Sequence, residues 1–109
     1  MHELGITQGI AEAVLDAVAD ARVTCVHLEI GRLSGVVADS VRFCFDLVAE
    51  GTALEGARLE IAEPAGWGAC RDCGNEFDVT GPIALCRCGG GDVAVLAGRE
   101  LRIRSVEVE

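Results

Sequence analysis

The sequence predicts an α/β domain in which two helices lie on one face of a three-stranded sheet, with a cysteine-rich ribbon inserted ahead of the last strand. Two segments repeat apolar residues at steps of three and four, which is the period of a helix, and three others alternate them as strands do. Between them, residues 67–98 turn to glycine and cysteine before strand periodicity returns. Residues 1–66 and 99–109 are therefore expected to build the main domain, with 67–98 as the insertion.

The first helix is expected from Leu4 to Ala21, where Leu4, Ala11, Val14, Leu15 and Val18 share one side and Glu12, Asp16 and Asp20 the other. Cys25 to Ile30 alternates strictly, so Val26, Leu28 and Ile30 share the buried face of a strand that Gly31 ends. His27, on the polar parity, reads as an exposed strand residue. After the Ser34-Gly35 loop, Asp39 or Ser40 is expected to accept the free amides of a second helix. Gly51 suits its end, and Val41, Cys44, Phe45 and Val48 form its apolar stripe. Arg58 to Ile61 and Arg99 to Glu109 supply the other two strands, and the second changes apolar parity at Ser105, where a bulge would restore one buried face. Cys25 and Cys44 read as core or half-buried residues.

A chain of 109 residues has the size of one small domain. Half of it is hydrophobic but only 4% is aromatic, so the core must come from Val, Leu, Ile and Ala and would gain from a staple. All nine cationic residues are arginine, and eighteen acids bring the net charge to -9, which opposes binding to nucleic-acid phosphates. Charges interrupt every apolar run well before the roughly 18 residues of a membrane helix, and no signal-peptide pattern opens the chain. A soluble, cytoplasmic protein is expected. No nucleophile-base pair or phosphate loop argues for an enzyme.

Four of the six cysteines fall into Cys70-Arg71-Asp72-Cys73 and Cys86-Arg87-Cys88, separated by twelve residues with a turn at Gly81-Pro82. Two thiolate pairs on tight knuckles can converge on one zinc, and the glycine after each pair allows the sharp turn. A reducing compartment disfavours the other reading, disulfides or a redox-active thiol pair. The second knuckle is one residue shorter than the usual Cys-x-x-Cys, so strain or weaker binding is expected there.

At the other end, Met1-His2-Glu3 stands directly against the first helix. A bulky residue such as histidine in second place normally blocks removal of the initiator methionine, so the free amine should belong to Met1. That amine and the His2 amide nitrogen close a five-membered chelate ring, and the amide with imidazole Nδ1 closes a six-membered one. Such tetragonal nitrogen coordination suits Ni(II) or Cu(II). The fourth position is open to the Glu3 amide or carboxylate, to Asp39, or to a partner. Taken alone the motif is a weak signal, because a histidine in second place is usually an exposed residue and Glu3 a normal favourable charge at a helix N-terminus.

Met1-His2-Glu3-Leu4, the stretch Glu29-Ile30-Gly31-Arg32-Leu33-Ser34-Gly35-Val36, the four cysteines and Gly98-Arg99-Glu100-Leu101 together resemble the HypA family of hydrogenase nickel-incorporation proteins, over essentially the whole chain. The resemblance implies a nickel metallochaperone that delivers Ni(II) as cargo during hydrogenase maturation. Nickel would sit at Met1, His2 and Glu3, and structural zinc at Cys70, Cys73, Cys86 and Cys88. It also implies the partners: the GTPase HypB, the large-subunit precursor of a [NiFe]-hydrogenase and, for some members, urease accessory proteins. The family usually has Cys-x-x-Cys where this chain has Cys86-Arg87-Cys88. The alternative function is a zinc-ribbon interaction module that binds no nickel.

Overall fold

The computed structural model describes residues 2–109; Met1, named above as a nickel ligand, lies outside the described residues. The elements run α1 (His2–Val18), β1 (Val23–Ile30), α2 (Ala38–Ala49), β2 (Arg58–Ala62), β3 (Gly66–Cys70), β4 (Glu76–Val79), β5 (Val93–Ala97) and β6 (Leu101–Val108). They form two three-stranded sheets, ordered β2-β1-β6 and β4-β3-β5. Among the described residues, no helix is long and apolar enough to cross a membrane.

One compact unit comprises residues 2–28, 36–61 and 102–109, and holds both helices and most of the first sheet. Its core follows from the expected periodicities: Val26 and Leu28 on β1, Val41 and Phe45 on α2, and Ile10 and Val14 on α1 are all at most 5% exposed. Helix α1 starts earlier than expected and ends at Val18, where Ala19 turns to φ 54°. Its buried stripe is Glu3, Thr7, Ile10, Ala11 and Val14, with Leu4 left 40% exposed. A hydroxyl is tolerated inside because Thr7 Oγ1 donates to the Glu3 carbonyl at 2.6 Å.

The start of α2 departs from expectation. Neither Asp39 nor Ser40 caps it: the N-cap position is Val37, which offers no side-chain hydrogen bond, and Asp39 lies in the first turn. A residue distant in sequence serves this end instead, for Glu3 Oε2 accepts the Val37 amide at 3.2 Å. The expected closing glycine is in place, with Gly51 at φ 77° just after the last helical turn. On β6 the half-buried positions are Leu101, Ile103 and Val106, which preserves the parity change read at Ser105.

The second unit comprises residues 29–35 and 62–101, and so takes in the end of β1 and the loop after it. Strand β3 is central, pairing antiparallel with β4 (Gly66 opposite Val79) and with β5 (Cys70 opposite Val93). The loop joins through backbone bonds: the Gly31 amide donates to the Glu100 carbonyl at 2.8 Å and the Leu33 amide to the Gly98 carbonyl at 2.8 Å. Gly98 has φ 110°, and a Cβ there would strike the Gly66 backbone, so two chain segments meet at a spacing only glycine allows.

Candidate metal centres

The four clustered cysteines converge. Strand β3 ends at Cys70, and a turn brings Cys73 back, with the Gly74 amide donating to the Cys70 carbonyl at 2.8 Å. The short knuckle closes through Gly89, at φ 93°, whose amide donates to the Cys86 carbonyl at 2.9 Å. Each knuckle contributes one sulfur to each close pair: Cys70 Sγ lies 3.7 Å from Cys88 Sγ, and Cys73 Sγ 3.5 Å from Cys86 Sγ. For Zn–S bonds of about 2.3 Å the edge of a regular tetrahedron is about 3.8 Å. All four ligand atoms lie within 4.8 Å of one another, so the thiols present fit a tetrahedral ion.

Electrostatics points the same way. Hydrogen bonding from the Cys88 amide, aided by the neighbouring thiols, lowers Cys86 to about 7. The Gly90 amide, 3.4 Å from Cys88 Sγ, pulls Cys88 down, but its contacts with Cys86, Cys70 and Cys73 outweigh it and push that thiol up to about 12. The Asn75 amide, with Cys88, pulls Cys73 down, but the Cys86 thiol, burial and the Cys70 thiol together outweigh them and leave it raised. Four thiols this close cannot all ionise alone, and a divalent cation removes the conflict.

The other candidate lies at the start of α1. His2 is exposed, with Nε2 3.5 Å from Glu3 Oε2. Glu3 is nearly buried, and the bond from the Val37 amide is the first cause holding its carboxyl below the usual range. The Glu3 contact brings the starts of α1 and α2 together around an open cavity of about 360 Å³, lined by Glu3, Leu4, Asp39, Ser40, Phe43 and Cys44. Asp39, read as a possible fourth ligand, thus shares a pocket wall with Glu3.

A family model described as "Hydrogenase/urease nickel incorporation, metallochaperone, hypA" matches residues 1–108. The chain belongs to the HypA family. It is 47% identical over 109 residues to the hydrogenase maturation factor HypA of Nostoc punctiforme, covering 100% of this chain and 96% of the relative. To the factor of the same name from Rippkaea orientalis it is 50% identical over 110 residues, with the same coverage. The solution structure of the Ni metallochaperone HypA from Helicobacter pylori matches the HypA fold seen here at TM-score 0.65 and 21% identity, covering 99% of this chain and 97% of that one.

One further group of ligand-type side chains occurs among the described residues of this HypA chain: Cys25, His27 and Glu107. Alternation along β1 places Cys25 and His27 on one face, but the sequence contains no sign that Glu107 would join them. His27 is half-buried rather than exposed, and its Nε2 lies 2.6 Å from Glu107 Oε2.

Proposed function

We propose that the chain is a cytoplasmic nickel metallochaperone that receives Ni(II) from the GTPase HypB and passes it to the large-subunit precursor of a [NiFe]-hydrogenase. Urease accessory proteins are a second class of recipient, in keeping with the family's description. The cargo site is the Met1 amine, the His2 amide and imidazole, and a donor from Glu3 or Asp39. The observation that supports this reading is the Glu3–Val37 bond, which joins Glu3, the residue after His2, to the start of α2 beside a pocket that Glu3 and Asp39 both line. So few nitrogen and oxygen donors, partly open to solvent, hold Ni(II) moderately and can yield it to a site with more or softer ligands.

Cys70, Cys73, Cys86 and Cys88 are proposed to hold structural zinc, which supplies cohesion to the ribbon and no redox chemistry. Titration of untagged, zinc-loaded protein with Ni(II) tests the cargo site. One equivalent should bind with square-planar d–d absorption and without a thiolate-to-nickel band. Absence of that absorption at saturating nickel would leave a ribbon protein with no cargo.

A further inference from the structure

We propose that Cys25, His27 and Glu107 form a second metal site, a three-ligand sulfur-nitrogen-oxygen set for a borderline divalent cation such as Zn(II) or Co(II). Its ligands come from two neighbouring strands, β1 and β6. Val26 and Leu28 take the inward parity of β1, so Cys25 and His27 project from the opposite face. Thr24 Oγ1 donates to the Glu107 carbonyl at 3.1 Å and the Glu109 amide donates to the Arg22 carbonyl at 2.9 Å, which together hold the end of β6 beside the start of β1.

The distances suit a tetrahedral ion. Cys25 Sγ is 3.5 Å from His27 Nε2, and the three ligand atoms lie within 4.8 Å of one another. With a metal-sulfur bond of about 2.3 Å and a metal-nitrogen bond of about 2.0–2.1 Å, a tetrahedral sulfur-nitrogen edge is about 3.5 Å. That edge is already formed. The His27 Nε2 to Glu107 Oε2 separation of 2.6 Å must open to about 3.3 Å, a shift for one side chain that is 54% exposed.

The arrangement also leaves an unresolved competition at one atom. Glu107 Oε2 and Cys25 Sγ both converge on His27 Nε2, which carries at most one proton. A proton directed at the carboxylate leaves nothing to offer the sulfur, whereas a neutral nitrogen that accepts from the thiol faces an ionised oxygen. A cation on the Nε2 lone pair satisfies all three groups. Thiolate, imidazole and carboxylate together select a borderline cation, and three protein ligands leave a fourth position for water or an incoming donor. His27 and Glu107 have side chains 35% and 54% exposed, so an ion can enter from their side although Cys25 is fully buried.

Co(II) tests the site because its thiolate complexes absorb in the near ultraviolet and nitrogen-oxygen complexes at the amino terminus do not. Protein carrying one zinc per chain should take one equivalent of Co(II) into a thiolate-cobalt band while still retaining its zinc. Cys25→Ala should abolish the band. Two substitutions outside the core, His27→Ala and Glu107→Gln, should each weaken Co(II) at least tenfold, with one zinc per chain kept in all three variants. The proposal fails if the parent shows no band at saturating cobalt. It fails equally if the band survives Cys25→Ala, which would trace it to exchange at the four-cysteine cluster or to Cys44, or if neither exposed variant weakens binding.

Discussion

Replacing Cys73 with serine should melt the ribbon while leaving the helical unit largely folded. Cys73 is exposed, so its replacement disturbs little packing, and an effect on folding reports the metal alone. The ribbon has little else to hold it: between residues 62 and 101 the only buried hydrophobic side chain other than Cys70 and Cys86 is Val79. Burying one valine contributes about 1.5–3 kcal/mol. Structural zinc in small modules contributes about 10 kcal/mol or more, so the metal term dominates there. If four thiolates share that energy about equally, losing one weakens zinc roughly a hundredfold. Competition with a chromophoric chelator measures that loss, and an amide correlation spectrum of the stripped variant shows its structural effect. Amides of 66–98 should collapse to random-coil positions while those of α1, β1 and α2 stay dispersed. A stripped variant whose ribbon amides remained dispersed would refute the reasoning, since the ribbon would then fold without metal.

The other predictions concern single contacts. Adding two residues before Met1 should weaken Ni(II) sharply and leave zinc content unchanged; isothermal titration giving equal affinity would remove the terminal amine from the cargo site. Gly98→Ala should lower the melting temperature by several degrees, since its φ of 110° and the adjacent Gly66 backbone leave no room for a Cβ, and an unchanged melting curve would contradict that close approach. Because the Val37 amide lowers the folded-state pKa of Glu3 below 4.5, its ionisation stabilises the fold above that pH, and the contribution fades as pH falls through the folded value. The parent should therefore exceed Glu3→Gln in urea midpoint at neutral pH and converge with it in acid, and a constant gap across that range would reject the linkage.

Much of this was legible in the chain itself. The helix stripe of Val41 and Phe45, the alternation of Val26, Leu28 and Ile30, and the two cysteine knuckles are local patterns that a side-chain period or a short spacing encodes. Helix ends were read less well. Asp39 and Ser40 are good capping residues by type, yet the Glu3 carboxylate occupies the Val37 amide. Likewise Leu4 fits the apolar stripe of α1, but the helix is turned so that Thr7 faces inward and hydrogen-bonds the Glu3 carbonyl.

The sequence by itself determined the two helices and the three strands outside the ribbon, that a ribbon interrupts them, and which thiols can share one ion, because each of these rests on neighbours a few residues apart or on two compact knuckles, whereas the strands β3, β4 and β5 within the ribbon were not read from it. Only the tertiary structure decided which distant groups meet. Glu3 reaches a backbone amide 34 positions away, and His27 meets Glu107 across 80 positions. The loop after β1 joins the ribbon through backbone bonds to Gly98 and Glu100. Such meetings depend on strand register and helix rotation, and a shift of one residue in β6 would turn Glu107 to the opposite face while leaving the local pattern intact.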